Sequence, residues 1–323
     1  MVGRAGARIP ARAPRAVRAR TRRGAVVSAA GGGAEDRVPA PPPIEELRTI
    51  ARQIRRLVLT SVHHAGAGHL GGPLSAADML AALYFRFLRL DPRRPDWPER
   101  DRFILSKGHS AIGLYATLAL RGYFPVDELD TFDAIGSRLQ GHPDMTATPG
   151  VDMSTGSLGQ GLSPGVGMAL GAKLRGAAFR TWVMLGDGEM QEGQVWEALE
   201  VAARYRLDNL IAVIDHNRLP QYTWPDYGQR GREFPVQNLV GKCAAFGWRV
   251  LECDGHDMDA IVGAFDDATR PDGRPTAVIA HTVKGKGVSF MEGAFAWHAK
   301  PLDGEALARA LDEIDAPPAG GTR

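Results

Sequence analysis

The chain has 323 residues, with 39 Lys and Arg against 37 Asp and Glu, 44% apolar residues, 39 Gly and 2 Cys. That length and apolar content sustain a sizeable buried core and exclude a disordered, collagen-like or disulfide-stapled protein. The charge is unevenly spread: residues 1–34 hold eight Arg and no acid, which leaves the remainder with 31 basic and 37 acidic groups.

The acidic body offers no nucleic-acid surface, because a basic tail alone gives only salt-sensitive, sequence-blind binding. Up to Pro43 the chain is dominated by Ala, Arg, Gly and Pro and has no helical or strand period. Such a stretch cannot bury enough surface to offset its ordering entropy, so residues 1–43 are expected to form a disordered leader. Only Thr21 and Ser28 supply hydroxyls and no apolar signal core is present, which favours a dispensable tail over an organelle address.

The body starts at Ile44, where Leu47, Ile50, Ile54, Leu57 and Val58 recur at the spacing of one buried helix face, ended by Gly66. A turn from Gly66 to Pro73 then leads to Ser75, read as the cap of a helix through Met79, Leu83 and Phe87. Phe103 to Leu105 is a short strand and Ala111 to Leu120 a helix. Trp182 to Leu185, Gln191 to Tyr205 and Leu210 to Ile214 read as strand, helix, strand, the spacing of a βαβ crossover with parallel strands. Trp248 to Leu251 and Ala277 to Ala280 are two further strands, with a helix around Ile261 to Thr269. The expected fold is α/β, a doubly wound and mainly parallel sheet with helices on both faces, over residues 44–315, followed by a flexible tail at 316–323. No run of ~18 apolar residues suggests a membrane span, and Cys243 and Cys253 read as ordinary thiols of a reducing cytosol. A cytoplasmic location is therefore expected.

Ligands of open parallel sheets sit beyond the carboxyl ends of the strands. Gly186-Asp187-Gly188 ends the first strand of the crossover and Asp215-His216-Asn217 ends the second. Asp187 and Asn217 are thus placed to converge and to hold a hard cation such as Mg2+, with glycines that let the backbone approach a diphosphate. On spacing alone, a plain turn and a strand-end cap explain the same residues. Three decoys have simpler readings. Gly165-Val166-Gly167 follows no strand and reads as tight helix packing rather than a dinucleotide fingerprint. Lys284-Gly285-Lys286-Gly287 lacks phosphate-loop spacing and reads as a mobile strand-end loop near the site, and Asp257 is a helix cap.

The Gly186-Asp187-Gly188 to Asn217 pattern resembles the metal and diphosphate motif of thiamine diphosphate enzymes. Residues 44–312 are similar to the amino-terminal, diphosphate-binding half of transketolase. The segments that carry this resemblance are Gly68-His69-Leu70-Gly71-Gly72, Leu105-Ser106-Lys107-Gly108-His109, Gln140-Gly141-His142-Pro143-Asp144, Ser154 to Gly161 and Gly186 to Gly193. The resemblance implies the thiamine diphosphate-binding fold of the diphosphate-holding domain. It implies that Asp187, Asn217 and the carbonyl of Leu219 hold Mg2+ (or Ca2+ or Mn2+). It further implies that Gly156 and Leu158 line the cofactor rings, that Gly186, Gly188 and His109 approach the cofactor, and that His69, His109, His142 and His298 face the reacting carbon and sugar hydroxyls. Glu192 matches a buried carboxylate at the subunit boundary. Proton transfer at sugar hydroxyls favours groups that titrate near neutrality, as histidine does. His63 and His64 match nothing functional.

A complete transketolase is about twice this long, so the resemblance implies a first subunit that works with a separately encoded, pyrimidine-binding second subunit, as an α2β2 assembly, on a sugar or sugar phosphate. Ser157 stands where Pro is usual, Ala299 where Gly is common, and Arg218 to Pro225 lack the family's Asp-Gly turn. These departures leave open a secondary-metabolism variant that moves a two-carbon unit to an unusual or carrier-bound acceptor. The alternatives are a deoxyxylulose phosphate synthase-like enzyme and a noncatalytic scaffold.

Overall fold

The computed structural model describes residues 41–219 and 238–316. The expectations for residues 1–40, for Pro220 to Pro225 and for residues 317–323 lie outside the described residues.

Helix α1 (Ile44–Ala65) buries Leu47, Ile50, Ile54 and Val58 and ends where Gly66 takes a left-handed φ of 67°. Helix α2 (Gly71–Ala82) is buried at all twelve positions and passes into a π-helical turn at Leu83–Phe87. Its start corrects the sequence reading. Gly71 and Gly72 belong to the first turn rather than a preceding loop, and Ser75 lies inside the helix instead of capping it. The Ser75 hydroxyl donates to the Gly72 carbonyl at 3.0 Å and to Asp215 Oδ2 at 2.6 Å. Tertiary burial overrides the low helix propensity of the two glycines, and their missing side chains let other groups pass close to this turn.

The strands are β1 (Arg102–Leu105), β2 (Thr181–Gly186), β3 (Leu210–His216), β4 (Arg249–Asp254) and β5 (Thr276–His281). They form one sheet in the order β1-β2-β3-β5-β4, parallel throughout. Between and after them run α3 (Ala111–Arg121), α4 (Leu162–Arg175), α5 (Gly193–Arg204), α6 (Leu239–Ala245), α7 (Met258–Ala268) and α8 (Gly304–Asp315). Helix α5 starts two residues later than expected because Glu189–Gln191 forms a separate 3-10 turn.

Strand alternation divides the core. Trp182, Met184, Ile211, Val213, Val278 and Ala280 pack with α1, α2, α3, α7 and α8 on one face. Val183, Leu185, Ala212, Ile214, Ala277 and Ile279 pack with α4, α5 and α6 on the other. Side chains of a strand point alternately to its two faces, so near-continuous apolar runs are what a sheet covered on both sides requires. Within α4, a Cβ on Gly165 would lie 2.5 Å from Val183 Cγ2, so the tight-packing reading of that glycine holds. Gly167 has nothing within 4 Å. Asp257 caps α7 by accepting from the Asp259 N–H. Cys243 and Cys253 are free and buried, and burial pushes both thiols up to about 11. Among the described residues no helix is long and apolar enough to cross a membrane.

Candidate active site

The carboxyl ends of β1, β2 and β3 and the loop after β5 meet around a cavity of about 250 Å3. The register that pairs Gly186 with Asp215 brings Asp187 and Asn217 to neighbouring strand ends, although thirty positions separate them in sequence. Both line the cavity, as does Leu219. Asp187 is buried; its Oδ1 accepts from the Gly188 N–H at 2.7 Å and its Oδ2 from the Arg218 N–H. Burial, then the nearby Asp215 carboxylate, pushes Asp187 up to about 6. A buried carboxylate, a carboxamide and a main-chain carbonyl are hard oxygen donors, the set a Mg2+ ion takes, and a cation there would offset the cost of burying Asp187.

The same cavity is lined by two buried cations, Lys107 and Lys284. Lys107 Nζ forms an ion pair with Asp215, with side-chain exposures of 2% and 0%. Ser75 and Thr282 also donate to that carboxylate, and Lys107 donates to the Gly72 carbonyl at 3.1 Å. Burial acts to raise the Asp215 carboxyl, but the charge of Lys107 and these hydrogen bonds bring it below its ordinary value. Lys284 Nζ donates to the Leu219 carbonyl at 2.8 Å. Burial pulls this lysine down to about 8, which leaves it cationic at pH 7. Two ammonium groups and the side-chain-free Gly186 and Gly188 suit a diphosphate. Below them, buried Glu189 accepts from the Ser106 hydroxyl and from the Gly159 and Gly186 N–H groups at 2.8 and 3.0 Å, tying the ends of β1 and β2 together.

Four histidines gather beside the cavity, His109 and His298 in its lining and His69 and His142 in that of a neighbouring hollow. The His69 ring lies 5.2 Å from His109, 5.2 Å from His298 and 6.3 Å from His142, while His109 and His298 stack at 5.3 Å. Burial, then Lys107, pushes His109 down to about 2. Burial, then Lys284, takes His298 down to about 3, and His69 is lowered by burial and by His142. Packed against each other and near lysines, these three rings are pushed below the ordinary imidazole range, away from the near-neutral titration expected of them.

Residues 47–318 match the family model described as "Transketolase, thiamine diphosphate binding domain". The chain belongs to the transketolase family. It is 46% identical over 270 residues to a 6-deoxy-6-sulfo-D-fructose transketolase subunit of Clostridium sp. (strain MSTE9), covering 84% of this chain and 96% of the relative. It is 41% identical over 271 residues to an apulose-4-phosphate transketolase subunit of Phocaeicola vulgatus, covering 84% of this chain and 94% of the relative. The crystal structure of the Campylobacter jejuni transketolase superposes with a TM-score of 0.77 at 32% identity, over 84% of this chain and 43% of that one. The chain thus spans nearly all of the subunit-type relatives and under half of that crystallised transketolase. The sheet and its helices are those of the thiamine diphosphate-binding fold, and thiamine diphosphate with a divalent metal is the cofactor.

Of the residues the transketolase resemblance nominated, Asp187, Gly186, Gly188, Asn217, Leu219, Leu158, His109, His298 and Glu192 all line the one cavity. His69 and His142 line a second hollow of about 460 Å3 that His69 joins to the histidine cluster. Gly156 lies outside both linings; a Cβ there would sit 2.9 Å from His142 Cδ2, so it makes room for that ring. Glu192 is exposed on this chain. His63 ends α1 with Nδ1 on the Leu302 carbonyl, away from the cavity.

The sequence reading missed Lys107, Glu189 and Asp215 as organisers, and it misjudged Lys284. That loop is not free at its first lysine: Lys284 is 4% exposed and doubly hydrogen-bonded. Lys107 and Asp215 carried a usable signal, since each is a charge placed directly at the end of an apolar strand, where only a paired charge is tolerated.

Proposed function

We propose that the chain is the diphosphate-binding subunit of a two-subunit transketolase that moves a two-carbon ketol unit from a ketose to an aldehyde. The observation that carries this reading is the meeting of three hard oxygen donors and two buried lysines in one cavity flanked by four histidines. Asp187, Asn217 and the Leu219 carbonyl would hold Mg2+, or Ca2+ or Mn2+ in its place. Lys107 and Lys284 would neutralise the diphosphate, while Leu158, Gly186 and Gly188 flank the cofactor. When bound, thiamine diphosphate supplies the carbanion stabilisation that ketol transfer needs.

The chain's own part is orientation and hydrogen bonding. His69 and His109, kept neutral by burial, would each present one donor and one acceptor to substrate hydroxyls or cofactor oxygens, His298 would use only the ring nitrogen that Lys284 leaves, and exposed His142 would meet substrate at the entrance. Glu192, exposed at the rim of the cavity, would face a separately encoded, pyrimidine-binding subunit in an α2β2 assembly. Relatives matched over 94 to 96% of their length carry the name of transketolase subunits, which supports the two-subunit reading. Their names specify a sulfo sugar and a sugar phosphate, so the substrate class proposed is a ketose with an anionic end. The test is calorimetry on the complex with its partner: thiamine diphosphate is expected to bind only with a divalent metal, and Asp187→Ala to abolish binding. Metal-independent binding, or binding unchanged by the substitution, contradicts the assignment.

A further inference from the structure

We infer that Lys284 is a positioning residue that fixes the ring tautomer of His298, with the ring hydrogen on Nε2. The inference rests on the cofactor reading of that cavity for its consequence, though not for its geometry. Lys284 Nζ lies 2.7 Å from His298 Nδ1. An ammonium group has three donors and no acceptor, so Nδ1 must accept, and the hydrogen of the neutral ring then resides on Nε2. His298 is 8% exposed, and its Nε2 is buried with no hydrogen-bond partner among the described residues. A buried donor left without a partner is unfavourable, so this ring, which contributes to the cavity lining, has a hydrogen-bonding capacity that the described residues leave unused.

Lys284 can impose this because its own position is fixed from several sides. Its stem crosses the first turn of α2, where a Cβ on Gly71 would lie 2.7 Å from Lys284 Cγ. The Gly285 N–H donates to the Gly71 carbonyl at 3.0 Å and the Gly293 N–H to the Lys284 carbonyl at 2.9 Å. One residue earlier, the Val283 N–H donates to His256 Nε2 at 2.8 Å. That leaves the ring hydrogen on His256 Nδ1, which meets Asp78 Oδ2 at 2.9 Å, and Asp78 is held in turn by Arg55 from α1. Groups from α1, α2 and the neighbouring loops therefore hold the backbone and stem of Lys284, and the ring its ammonium contacts shares the cavity with Asp187 and His109.

The test is a ring nitrogen–proton correlation spectrum of the full chain labelled with 15N-histidine, His298 being assigned by its loss in His298→Gln. The expected result is a single tautomer with Nδ1 unprotonated and Nε2 protonated. Lys284→Met is expected to give a mixture or the opposite tautomer, and Lys284→Arg to restore the original. In the complex with its partner, Lys284→Met should lower kcat by about tenfold to a hundredfold, the usual cost of a misplaced group, with KM for the ketose little changed and Lys284→Arg regaining much of the loss. An Nδ1–H tautomer in the wild-type chain, or an unchanged tautomer in Lys284→Met, overturns the inference. If Lys284→Met fails to fold, the wild-type and Lys284→Arg spectra decide it, an Nδ1–H tautomer in either overturning it. The spectrum needs no turnover, so it stands apart from the fate of the ketol-transfer reading.

Discussion

Lys107→Met tests how the floor of the cavity is built. The substitution keeps most of the apolar stem and removes the ammonium, leaving Asp215, whose side chain is fully buried, with Ser75 and Thr282 as its remaining side-chain donors. Breaking a buried ion pair from one side costs about 3–5 kcal/mol, because the surviving charge stays desolvated. The Gly72 carbonyl also loses the donor it had at 3.1 Å, worth about 1 kcal/mol more. Together these are about 4–6 kcal/mol, and at about 2–4 °C per kcal/mol for a domain of this size the melting temperature should fall by roughly 8–24 °C. Urea unfolding of wild type, Lys107→Met, Asp215→Asn and the double variant would measure it. The double variant is expected to recover at least about 2 kcal/mol relative to the sum of the singles, since it leaves no unpaired charge. A cost for Lys107→Met below about 1 kcal/mol, or strict additivity, would refute the claim that the pair acts as a unit.

The Asp78 site gives a pH prediction. Burial acts to raise that carboxyl, but Arg55 and His256 outweigh it and hold it at about 2, below its ordinary 3.8. Between those values the unfolded chain binds more protons, so stability rises with pH there. The contribution, about 2 kcal/mol, is fully present above about pH 4 and lost as pH falls through about 2. The stability gap between wild type and Asp78→Asn should therefore narrow from pH 5 to pH 2 in chemical unfolding, and a pH-independent gap would count against the pairing. In α4, Gly165→Ala drives a Cβ to 2.5 Å from Val183 and should cost about 1–3 kcal/mol, whereas Gly167→Ala meets nothing within 4 Å and should gain about 0.5–1 kcal/mol. Thermal melts that ranked the two alike would show that α4 does not pack as described.

The five strands were legible because each is an apolar run too short for a helix and bounded by turn residues; β2 and β3 sit one helix apart, which made the crossover explicit. That spacing was also enough to aim Asp187 and Asn217 at one point. Helix α2 was harder. It is buried all round, so it has no polar face to set a period, and its opening glycines carry the local signature of a turn. Lys284 was misjudged for a related reason. A Lys-Gly-Lys-Gly run has every local mark of a flexible loop, and the partners that bury it, Leu219 and His298, lie 65 and 14 positions away. The histidines illustrate a third limit: their residue type indicated proton chemistry, but their neutrality comes from burial and from Lys107 and Lys284, which only the assembled site brings near.

The central claim is that this chain supplies the metal and diphosphate half of a ketol transferase completed by a second subunit. It is tested most directly by assaying two-carbon transfer from a ketose with an anionic end, with thiamine diphosphate and Mg2+ present, for the chain alone, the partner alone and the two co-purified. Activity is expected only in the co-purified complex, and it should disappear with Asp187→Ala. Full activity from the chain alone, or a complex indifferent to Asp187, would contradict the account.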